Sequence, residues 1–427
     1  MNATTQSAGM REALLDTLLA GVIALVVFGP IVGVVLDGYS FKLSPLRVAL
    51  LVALVMVGRL LISLFLHTTF GQQFKRKFEG NDDGVYVREP GYRSRLRWIL
   101  PLLLIIALAF PFLSSKYLLT VAILGLIYVL LGLGLNIVVG LAGLLDLGYV
   151  AFYAIGAYGL ALGYQYLGLG FWSMLPIAAL LAAFAGALLG FPVLRMHGDY
   201  LAIVTLGFGE IIRLVLTNWL SFTGGPNGVS VPSPTFFGLE FARRARDGGI
   251  PYHEFLHLDY NPNMKFIFIY VVLVLVVLLV LFIKHRLTRM PIGRAWEALR
   301  EDEIACRAMG LNHVLVKLSA FMLGASTAGI AGVFFASYQG FVNPTSFTFF
   351  ESALILAIVV LGGMGSTLGV VLAAFVLTVA PELLRSFAEY RVLLFGMLMV
   401  LMMIWRPRGL VRTARVGVPL RKGVRHE

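Results

Sequence analysis

The sequence contains a single cysteine, Cys306, which excludes an internal disulfide framework and any cysteine-rich metal or iron–sulfur site. Charged residues are also scarce, at 13% of 427 residues against a usual share of ~25%. Hydrophobic residues make up 59%. A soluble enzyme needs enough charged surface to cover its core. The composition therefore excludes that class and indicates a polytopic membrane protein.

The sequence also lacks any Gly-Lys dipeptide, and with it the phosphate-binding loop of P-loop ATPases. Acidic residues are outnumbered by basic ones, 22 against 34, which gives a formal net charge of +12. In a membrane protein such an excess usually marks the loops that stay in the cytoplasm, and it does not point to nucleic-acid binding. The positions of the basic residues are therefore more informative than their total.

Long apolar runs predict an all-α polytopic membrane protein with about eleven or twelve transmembrane helices, some of them broken. The first run is longer than a signal-peptide core and has no Ala-x-Ala cleavage site, so we interpret it as a retained helix. The predicted helices cover Leu18–Leu36, Leu46–Leu66, Trp98–Leu113, Tyr117–Val139, Leu147–Gly168, Ser173–Leu194, Asp199–Leu220, Lys265–Ile283, Val314–Ser337, Ser352–Ala380 with an interruption at 362–366, and Val392–Trp405.

Basic residues concentrate in three polar stretches, at 75–97, 284–317 and 406–425. Alternation of sides along the predicted helices puts the first two stretches on one face, and the positive-inside rule makes that face cytoplasmic, together with the N-terminus. The tail joins them only if the region 352–380 crosses the membrane twice, or dips in and returns. The segment 221–264 then forms the one sizeable external loop.

Two glycine-rich breaks interrupt the apolar runs. Unwound backbone at membrane depth is tolerated only where protein or water satisfies its polar groups, so such breaks indicate a translocation path. Close helix packing is the alternative explanation for isolated glycines in lipid. The candidate path residues in the two breaks are Gly143, Asp146, Gly148, Gly362, Gly363 and Gly365.

Ionisable residues within the predicted spans are few, and each is costly at the bilayer centre. Glu210 and Arg213 lie three residues apart on the helix that starts at Asp199, so they share a face and can neutralise each other. A structural ion pair and a role on the translocation path both remain open for them. For Asp146, path lining and helix capping are equally open.

The basic stretch 284–317 has helical periodicity. Apolar residues recur at spacings of four and three, first at Ile292, Trp296 and Leu299 and then at Ile304, Ala308 and Leu311. The step of five between the two triplets breaks the phase, which predicts two short amphipathic helices joined near Glu301 and Asp302. Such a unit has an apolar face that needs a partner, although an ordinary solvated loop is the alternative.

Several motifs resemble the permeases of ATP-binding-cassette importers, and in particular the branched-chain amino-acid permeases. The loop 284–317 resembles the cytoplasmic coupling segment of such importers. The matching motifs are Gly-Phe-Pro-Val-Leu-Arg at 190–195, Gly-Asp-Tyr-Leu-Ala-Ile-Val-Thr-Leu-Gly-Phe-Gly-Glu-Ile-Ile-Arg at 198–213, Thr-Gly-Gly-Pro-Asn-Gly at 223–228, Ile-Val-Val-Leu-Gly-Gly-Met-Gly-Ser at 358–366 and Trp-Arg-Pro-Arg-Gly-Leu at 405–410. The two additional N-terminal helices and the charged linker resemble the larger, M-type permease subunit.

The resemblance implies four domains and a heteromeric importer of Leu, Ile and Val in the cell inner membrane. Residues 1–70 would hold two N-terminal helices, 71–97 a basic linker, 98–410 the core permease domain and 411–427 a basic tail. The implied partners are a sister permease, two ATPase subunits that bind ATP, a periplasmic amino-acid-binding protein and membrane lipid. The chain itself would be a non-enzymatic transport subunit with no catalytic residue, metal or cofactor of its own.

The resemblance also implies that the coupling segment meets the ATPases. The candidate coupling residues are Arg294, Trp296, Glu297, Leu299, Glu303, Ile304, Ala305, Gly310 and Leu311. The chain departs from the family in two places. Asp146-Leu-Gly-Tyr149 stands where many relatives have Ser-Leu-Gly-His, and the general Glu-Ala-Ala coupling motif is degenerate, with Ile304-Ala305-Cys306 closest to it.

Two other classes of function compete with this interpretation. A passive channel or an ion-coupled carrier would have the same spans and breaks but would give the coupling segment no partner. The sequence His253-Glu-Phe-Leu-His257 matches the zinc-protease pattern His-Glu-x-x-His. However, it lies in a short predicted external loop with no further scaffold for a cleft, so a membrane metalloprotease is only a minor alternative.

Overall fold

The computed structural model describes residues 34–37, 40–43, 107–112, 114–193, 196, 199–236, 239–241, 250–256, 261–383 and 409–411, and single positions at 49, 53, 56, 396 and 400. The chain divides into two units. The first comprises Met1–Arg88 with Val416–Glu427, and the second comprises Glu89–Arg415. All candidate site residues belong to the second unit.

In the first unit, strands β1 (Val34–Asp37) and β2 (Ser40–Leu43) form an antiparallel hairpin in which Asp37 pairs with Ser40. The predicted helix Leu18–Leu36 is therefore wrong over its last three residues. Two β-branched valines, followed by a glycine at the first position of a two-residue connection, favour a hairpin over a helix end. The rest of that helix lies outside the described residues, as does Leu46–Leu66 apart from helical positions 49, 53 and 56.

In the second unit, six helical segments of the described residues are long and apolar enough to cross a membrane. They confirm the prediction of a predominantly helical, multi-pass membrane protein. The predicted helix Trp98–Leu113 is described only at 107–112, which is helical, and Val392–Trp405 only at 396 and 400. The six segments are Lys116–Leu141, Phe171–Phe191, Tyr200–Asn218, Met264–Arg289, His313–Gln339 and Pro344–Gly362.

The helices of the second unit follow the predicted spans closely. Ser115 caps the first of them by accepting a hydrogen bond from the backbone N–H of Leu118. The elements in chain order are α1 (Lys116–Leu135), a π-helical segment (Asn136–Leu141), α2 (Val150–Leu167), α3 (Phe171–Val193), α4 (Asp199–Asn218), α5 (Leu220–Thr223), α6 (Tyr252–Leu256), α7 (Met264–Arg289), α8 (Pro291–Glu301), α9 (Glu303–Ala308), α10 (His313–Gln339), α11 (Phe349–Gly362) and α12 (Thr367–Leu383).

Helix α10 lies at the centre of the second unit and packs against α1, α2 and α3. Small residues allow this close approach, as predicted for isolated glycines. A Cβ at Gly156 of α2 would overlap the carbonyl oxygen of Gly329 of α10, and a Cβ at Gly332 would overlap that of Tyr153. The glycines of these helices therefore serve packing.

Short strands accompany the helices in the predicted external loop. Strand β3 (Val229–Ser230) pairs antiparallel with β7 (Phe341–Val342), which follows α10. Strands β4 (Thr235–Phe236), β5 (Leu239–Glu240) and β6 (Ile250–Pro251) form a second small sheet in the order β4-β5-β6. The loop is thus tied to the end of α10.

Helices α1 and α11 run in the same direction. The Tyr128 hydroxyl donates a hydrogen bond to Glu351, and two turns further along α1 the Asn136 side chain bonds to Gly365, just beyond the end of α11. Residue numbers therefore rise together along the two helices.

Helices α1 and α12 run in opposite directions. Gly125 of α1 lies against Phe375, whereas Gly132, further along α1, lies against Val370. Helices α11 and α12 therefore form a hairpin whose tip is residues 363–366. This confirms the predicted reversal of the chain between 352 and 380.

Candidate functional site

The first predicted break is a change of helix type followed by irregular backbone. Helix α1 continues as the π-helical segment Asn136–Leu141, and regular helix resumes only at Val150. Gly143 has a positive φ of 72°, which an L side chain rarely adopts. Single π-helical turns are rare and often occur at functional sites.

The second predicted break is the tip of the α11–α12 hairpin. Gly363 and Gly365 have φ angles of 101° and 85°, so two residues of the tip adopt backbone conformations that favour glycine. A Cβ at Gly369 would overlap the Gly362 carbonyl oxygen, so the two helices touch backbone to backbone where they leave the tip. The second break is therefore a tight turn with a defined backbone conformation.

Asn136 joins the two breaks. Its side-chain Oδ1 accepts a hydrogen bond from the Gly365 backbone N–H at 2.7 Å, and its Nδ2 donates to the Ser366 carbonyl at 3.2 Å. The side chain is completely buried. Sequence reasoning missed this residue, although a lone amide in an apolar run is the signal that could have identified it.

The chain after the last predicted span returns to the same tip. The Leu410 backbone N–H donates to the Leu361 carbonyl at 2.8 Å, and Val411 donates to Gly362 at 3.3 Å. Gly409 lies directly against Gly363, with a φ of 81°. The segment 409–411 therefore lies at the end of the unit that holds both breaks.

Asp146 lies in the connection between the π-helical segment and α2. Its Oδ1 accepts a hydrogen bond from the Gly148 backbone N–H at 2.9 Å, a local turn that leads into α2. Burial of the carboxyl raises its pKa to about 7. The bond forms a local turn before α2, whose N-cap residue is Tyr149, so Asp146 does not cap that helix. A role on the path stays a prediction.

Gly148 is where α4 crosses the start of α2. A Cβ at this position would overlap the Thr205 carbonyl oxygen, and the Thr205 hydroxyl accepts a hydrogen bond from the Leu147 backbone N–H at 3.0 Å. Gly148 and Gly209 approach closely, as a Cβ at Gly209 would lie 3.2 Å from the Gly148 Cα.

Glu210 and Arg213 form the predicted ion pair, with 2.8 Å between the Glu210 Oε2 and the Arg213 Nε. Both side chains are about one third exposed. The bond described for these side chains joins them to each other and not to either break. Their role on the path remains a prediction.

The predicted pair of short helices in the coupling segment is confirmed. Helix α8 ends at Glu301 and α9 begins at Glu303, with Asp302 between them. The Asp302 carboxylate accepts hydrogen bonds from the backbone N–H groups of Ile304 and Ala305, at 2.8 and 3.0 Å. It therefore caps α9, which explains why the hydrophobic phase breaks at this residue.

The coupling segment is fastened to α10 by its inner face. Trp296 is fully buried and donates from its indole nitrogen to the Ser319 hydroxyl at 3.0 Å, and Leu299 is buried as well. Glu303 accepts hydrogen bonds from Arg307 at 2.6 Å and from the buried Lys317 at 2.8 Å. The structure thus places Trp296, Leu299 and Glu303 as supports of the segment.

The outer face of the coupling segment, made of Ile304, Met309, Leu311 and Leu315, is apolar and open. Ile304 is 79% exposed and Met309 is 84% exposed. Gly310, two residues beyond the end of α9, has a φ of 81°. A Cβ at this position would meet open space. Exposed apolar residues that are grouped between Ile304 and Leu315 indicate a candidate interaction surface.

Arg300 connects the coupling segment directly to the first break. Its guanidinium donates to the Gly140 carbonyl at 2.5 Å, and a Cβ at Gly143 would lie 2.8 Å from its Cγ. In the sequence, Arg300 is only one of several basic residues in the stretch 284–317. Together, Arg300, Gly140, Asn136 and Gly365 form a continuous contact from α8 to both breaks.

The zinc-protease pattern falls on α6, a helix of only five residues that contains His253 and Glu254. His257 lies outside the described residues. Within the part of the chain that the structure describes, no group of three His, Cys, Asp or Glu side chains is placed to hold a metal ion.

Comparison with known proteins bears on this arrangement. Residues 117–404 match the family described as "Branched-chain amino acid transport system / permease component", and residues 12–110 match a family described as a domain of unknown function. No solved structure matches the chain.

Individual relatives agree with the family match. The chain is 58% identical over 335 residues to the high-affinity branched-chain amino acid transport system permease protein LivM of Escherichia coli (strain K12), across 78% of this chain and 79% of that protein. Identity to LivM of Salmonella typhimurium is 57% over the same shares. The permease protein LivH of Escherichia coli (strain K12) is 25% identical, across 67% of this chain and 92% of that protein. The chain therefore belongs to the family of permease components of branched-chain amino acid transport systems.

Proposed function

We propose that this chain is the larger of two permease subunits in an ATP-driven importer that carries leucine, isoleucine and valine across the cell inner membrane. Relatives of both types, named LivM and LivH, are described as permeases of a high-affinity branched-chain amino acid system. The apolar helices supply the membrane-spanning part. A chain of the shorter type would be the sister permease.

ATP is bound by partner subunits in this proposal. The sequence has no Gly-Lys dipeptide and therefore no P-loop of its own. The remaining partners are two ATPase subunits, a periplasmic protein that delivers the amino acid, and membrane lipid. The chain acts as a transport subunit, and its contribution is a change of conformation.

The observation that carries the proposal is the open outer face of the coupling segment, Ile304, Met309, Leu311 and Leu315. Ile304 lies on α9, Met309 and Leu311 follow it, and Leu315 lies in the first turns of α10. The preceding helix α8 is held against α10 by the buried Trp296. We assign the outer face to docking of an ATPase subunit. Its basic surroundings support a cytoplasmic location by the positive-inside rule, on the side where ATP is available.

The contacts of Arg300 suggest how a push on this segment reaches the path. Closure of the ATPases would displace α8 and α9, and Arg300 would pass that displacement to the π-helical segment through the Gly140 carbonyl. Asn136 would pass it on to the tip of the α11–α12 hairpin. The two breaks would then rearrange together and switch access between the two sides of the membrane.

The docking assignment is tested with the full complex and an aspartate on the outer face. Ile304→Asp combined with Met309→Asp puts two charges into the proposed contact, where unpaired buried charge is costly. We expect the ATPase subunits to be lost on purification and ATP-dependent leucine uptake to disappear. The matched control is Ile250→Asp, an exposed apolar residue of β6 away from the coupling segment.

Two results would contradict the proposal. One is retention of the ATPases and of uptake by the double variant. The other is wild-type uptake in reconstituted vesicles that proceeds equally well without ATP, which would favour a channel or a carrier.

A further inference from the structure

A partly buried polar pair lies within the membrane-spanning part, away from both breaks. The Tyr128 hydroxyl of α1 donates a hydrogen bond to the Glu351 carboxylate of α11, with 2.7 Å between the oxygen atoms. Both residues lie inside segments long and apolar enough to cross a membrane. Neither belongs to the coupling contacts described above.

The position of each residue along its helix gives the depth of the pair. Tyr128 lies midway along the 26-residue segment Lys116–Leu141. Glu351 lies eleven residues before Gly362, about 17 Å above the hairpin tip at a rise of 1.5 Å per residue. The hydrocarbon core is ~30 Å thick, so segments of this length that cross it hold both residues between their ends and within the core.

Among the described residues, only one of the two carboxylate oxygens of Glu351 forms a hydrogen bond. Tyr128 bonds to Oε2, and among the described residues no hydrogen bond is found for Oε1. Glu351 and Tyr128 are each only half-buried. A charged carboxylate exposed to lipid costs roughly 2.5 to 3.5 kcal/mol, which favours water or another polar group as the partner of the second oxygen.

The surroundings hold the helix turn that carries Glu351 in a fixed position. Adjacent Ser352 accepts a hydrogen bond from the Val150 backbone N–H at 3.0 Å, which fixes the first turn of α11 against the start of α2. Tyr153, fully packed against Phe335 and Phe347, lies on α2 one turn from that contact. The helix turn that carries Glu351 is therefore fixed in position, and one of its carboxylate oxygens has no hydrogen bond among the described residues.

We propose that Glu351 and Tyr128 form a mid-membrane binding site for the ammonium group of the transported amino acid. The inference rests on the proposed function as an amino-acid importer. A carboxylate binds an ammonium through strong, charge-assisted hydrogen bonds, and an amino acid that crosses the apolar core needs such a partner for its positive end. The site recognises the group common to all amino acids, so it leaves the choice of side chain to other parts of the importer.

The test compares two substitutions of Glu351 in the complete importer, reconstituted in vesicles with the binding protein and ATP. Glu351→Gln keeps the size and can still accept the bond from Tyr128, but it removes the charge. Glu351→Asp keeps the charge on a shorter side chain. A site for ammonium requires the charge, so we expect the Gln variant to lose leucine uptake by about ten-fold or more, the effect of one charged hydrogen bond, and the Asp variant to retain more.

A structural hydrogen bond predicts the opposite order, with Gln tolerated and Asp impaired, and that result would overturn the inference. Loss of the sister permease on purification of the Gln variant would also overturn it, because Glu351 would then be a subunit contact. ATP hydrolysis stimulated by the loaded binding protein should stay within about two-fold of wild type in the Gln variant, since a charge needed by the substrate is not part of the coupling contacts.

The matched control is Glu254→Gln, the same chemical change at an exposed residue of α6, which should transport like wild type. The wild-type importer reports on the proposed function separately: if its uptake needs ATP while Glu351→Gln transports normally, the importer stands and the ammonium site falls.

Discussion

The sequence marks Gly148 as an important position, but the structure gives a different reason for its importance. Its place in a glycine-rich break predicts a position on the translocation path. The structure shows a more immediate requirement, because a side chain at this position would enter the Thr205 carbonyl of α4. Backbone contact between two helices in lipid is possible only where both lack bulk.

Replacement of Gly148 by alanine should therefore damage the fold of the second unit. The added methyl group forces α2 and α4 apart, and overpacking of this kind typically costs about 1–3 kcal/mol. We expect a lower midpoint of thermal unfolding for the purified complex and reduced leucine uptake. Gly207→Ala, on the same helix α4 but facing open space, should leave both unchanged. Equal behaviour of the two variants would show that the crossing of α2 and α4 is not tight.

Single polar residues were harder to predict from the sequence than glycines. Asn136 is one amide among apolar residues, and nothing in its neighbourhood specifies that it bonds across to Gly365 and Ser366. Its partners lie about 230 positions away in the chain, and only the packing of α1 against the α11–α12 hairpin brings them within reach. Local patterns carry no information on such long-range contacts.

At the scale of elements, periodicity predicted the coupling segment well. The phase break between Leu299 and Ile304 marked the boundary between two helices, and Asp302 is the residue that caps the second. The pattern does not predict which apolar residues pack against the rest of the chain and which remain exposed. Trp296 and Ile304 are both apolar, yet one is buried against α10 and the other is 79% exposed. Which face meets the chain itself depends on where α10 lies.

The link between this element and the first break makes a prediction of its own. Arg300→Gln removes the charged hydrogen bond to Gly140 while the buried Trp296 still holds α8 in place. Hydrogen bonds to charged groups contribute about 1.5–3 kcal/mol, so we expect ATP-dependent uptake to fall about ten-fold while the ATPase subunits remain bound.

The readout that separates transmission from docking is the number of leucine molecules carried per ATP hydrolysed, which should fall in Arg300→Gln. Arg286→Gln, an exposed arginine of α7, is the matched control and should transport normally. A variant at Arg300 that imports leucine at the wild-type ratio would exclude the guanidinium as the connection between α8 and the π-helical segment.

At the scale of the whole second unit, several separate elements meet at one end. The coupling segment, the π-helical segment, the hairpin tip and residues 409–411 are joined there by hydrogen bonds. Helix α10 leads away from this end to β7, which pairs with β3 of the predicted external loop. Charge and parity predict opposite sides of the membrane for the stretch 284–317 and the segment 221–264, and the separation of these two segments along α10 supports that prediction.

This division makes the orientation of the chain testable with single cysteines. After Cys306→Ser, a cysteine at exposed Ile250 should react with a membrane-impermeant maleimide in cells whose outer membrane alone is permeabilised, because the segment 221–264 is predicted to be external. A cysteine at exposed Met309 should react only after the inner membrane is opened, because the basic stretch 284–317 is predicted to be cytoplasmic. Labelling of Met309→Cys from outside would reverse the orientation, and with it the assignment of the coupling segment to the cytoplasm.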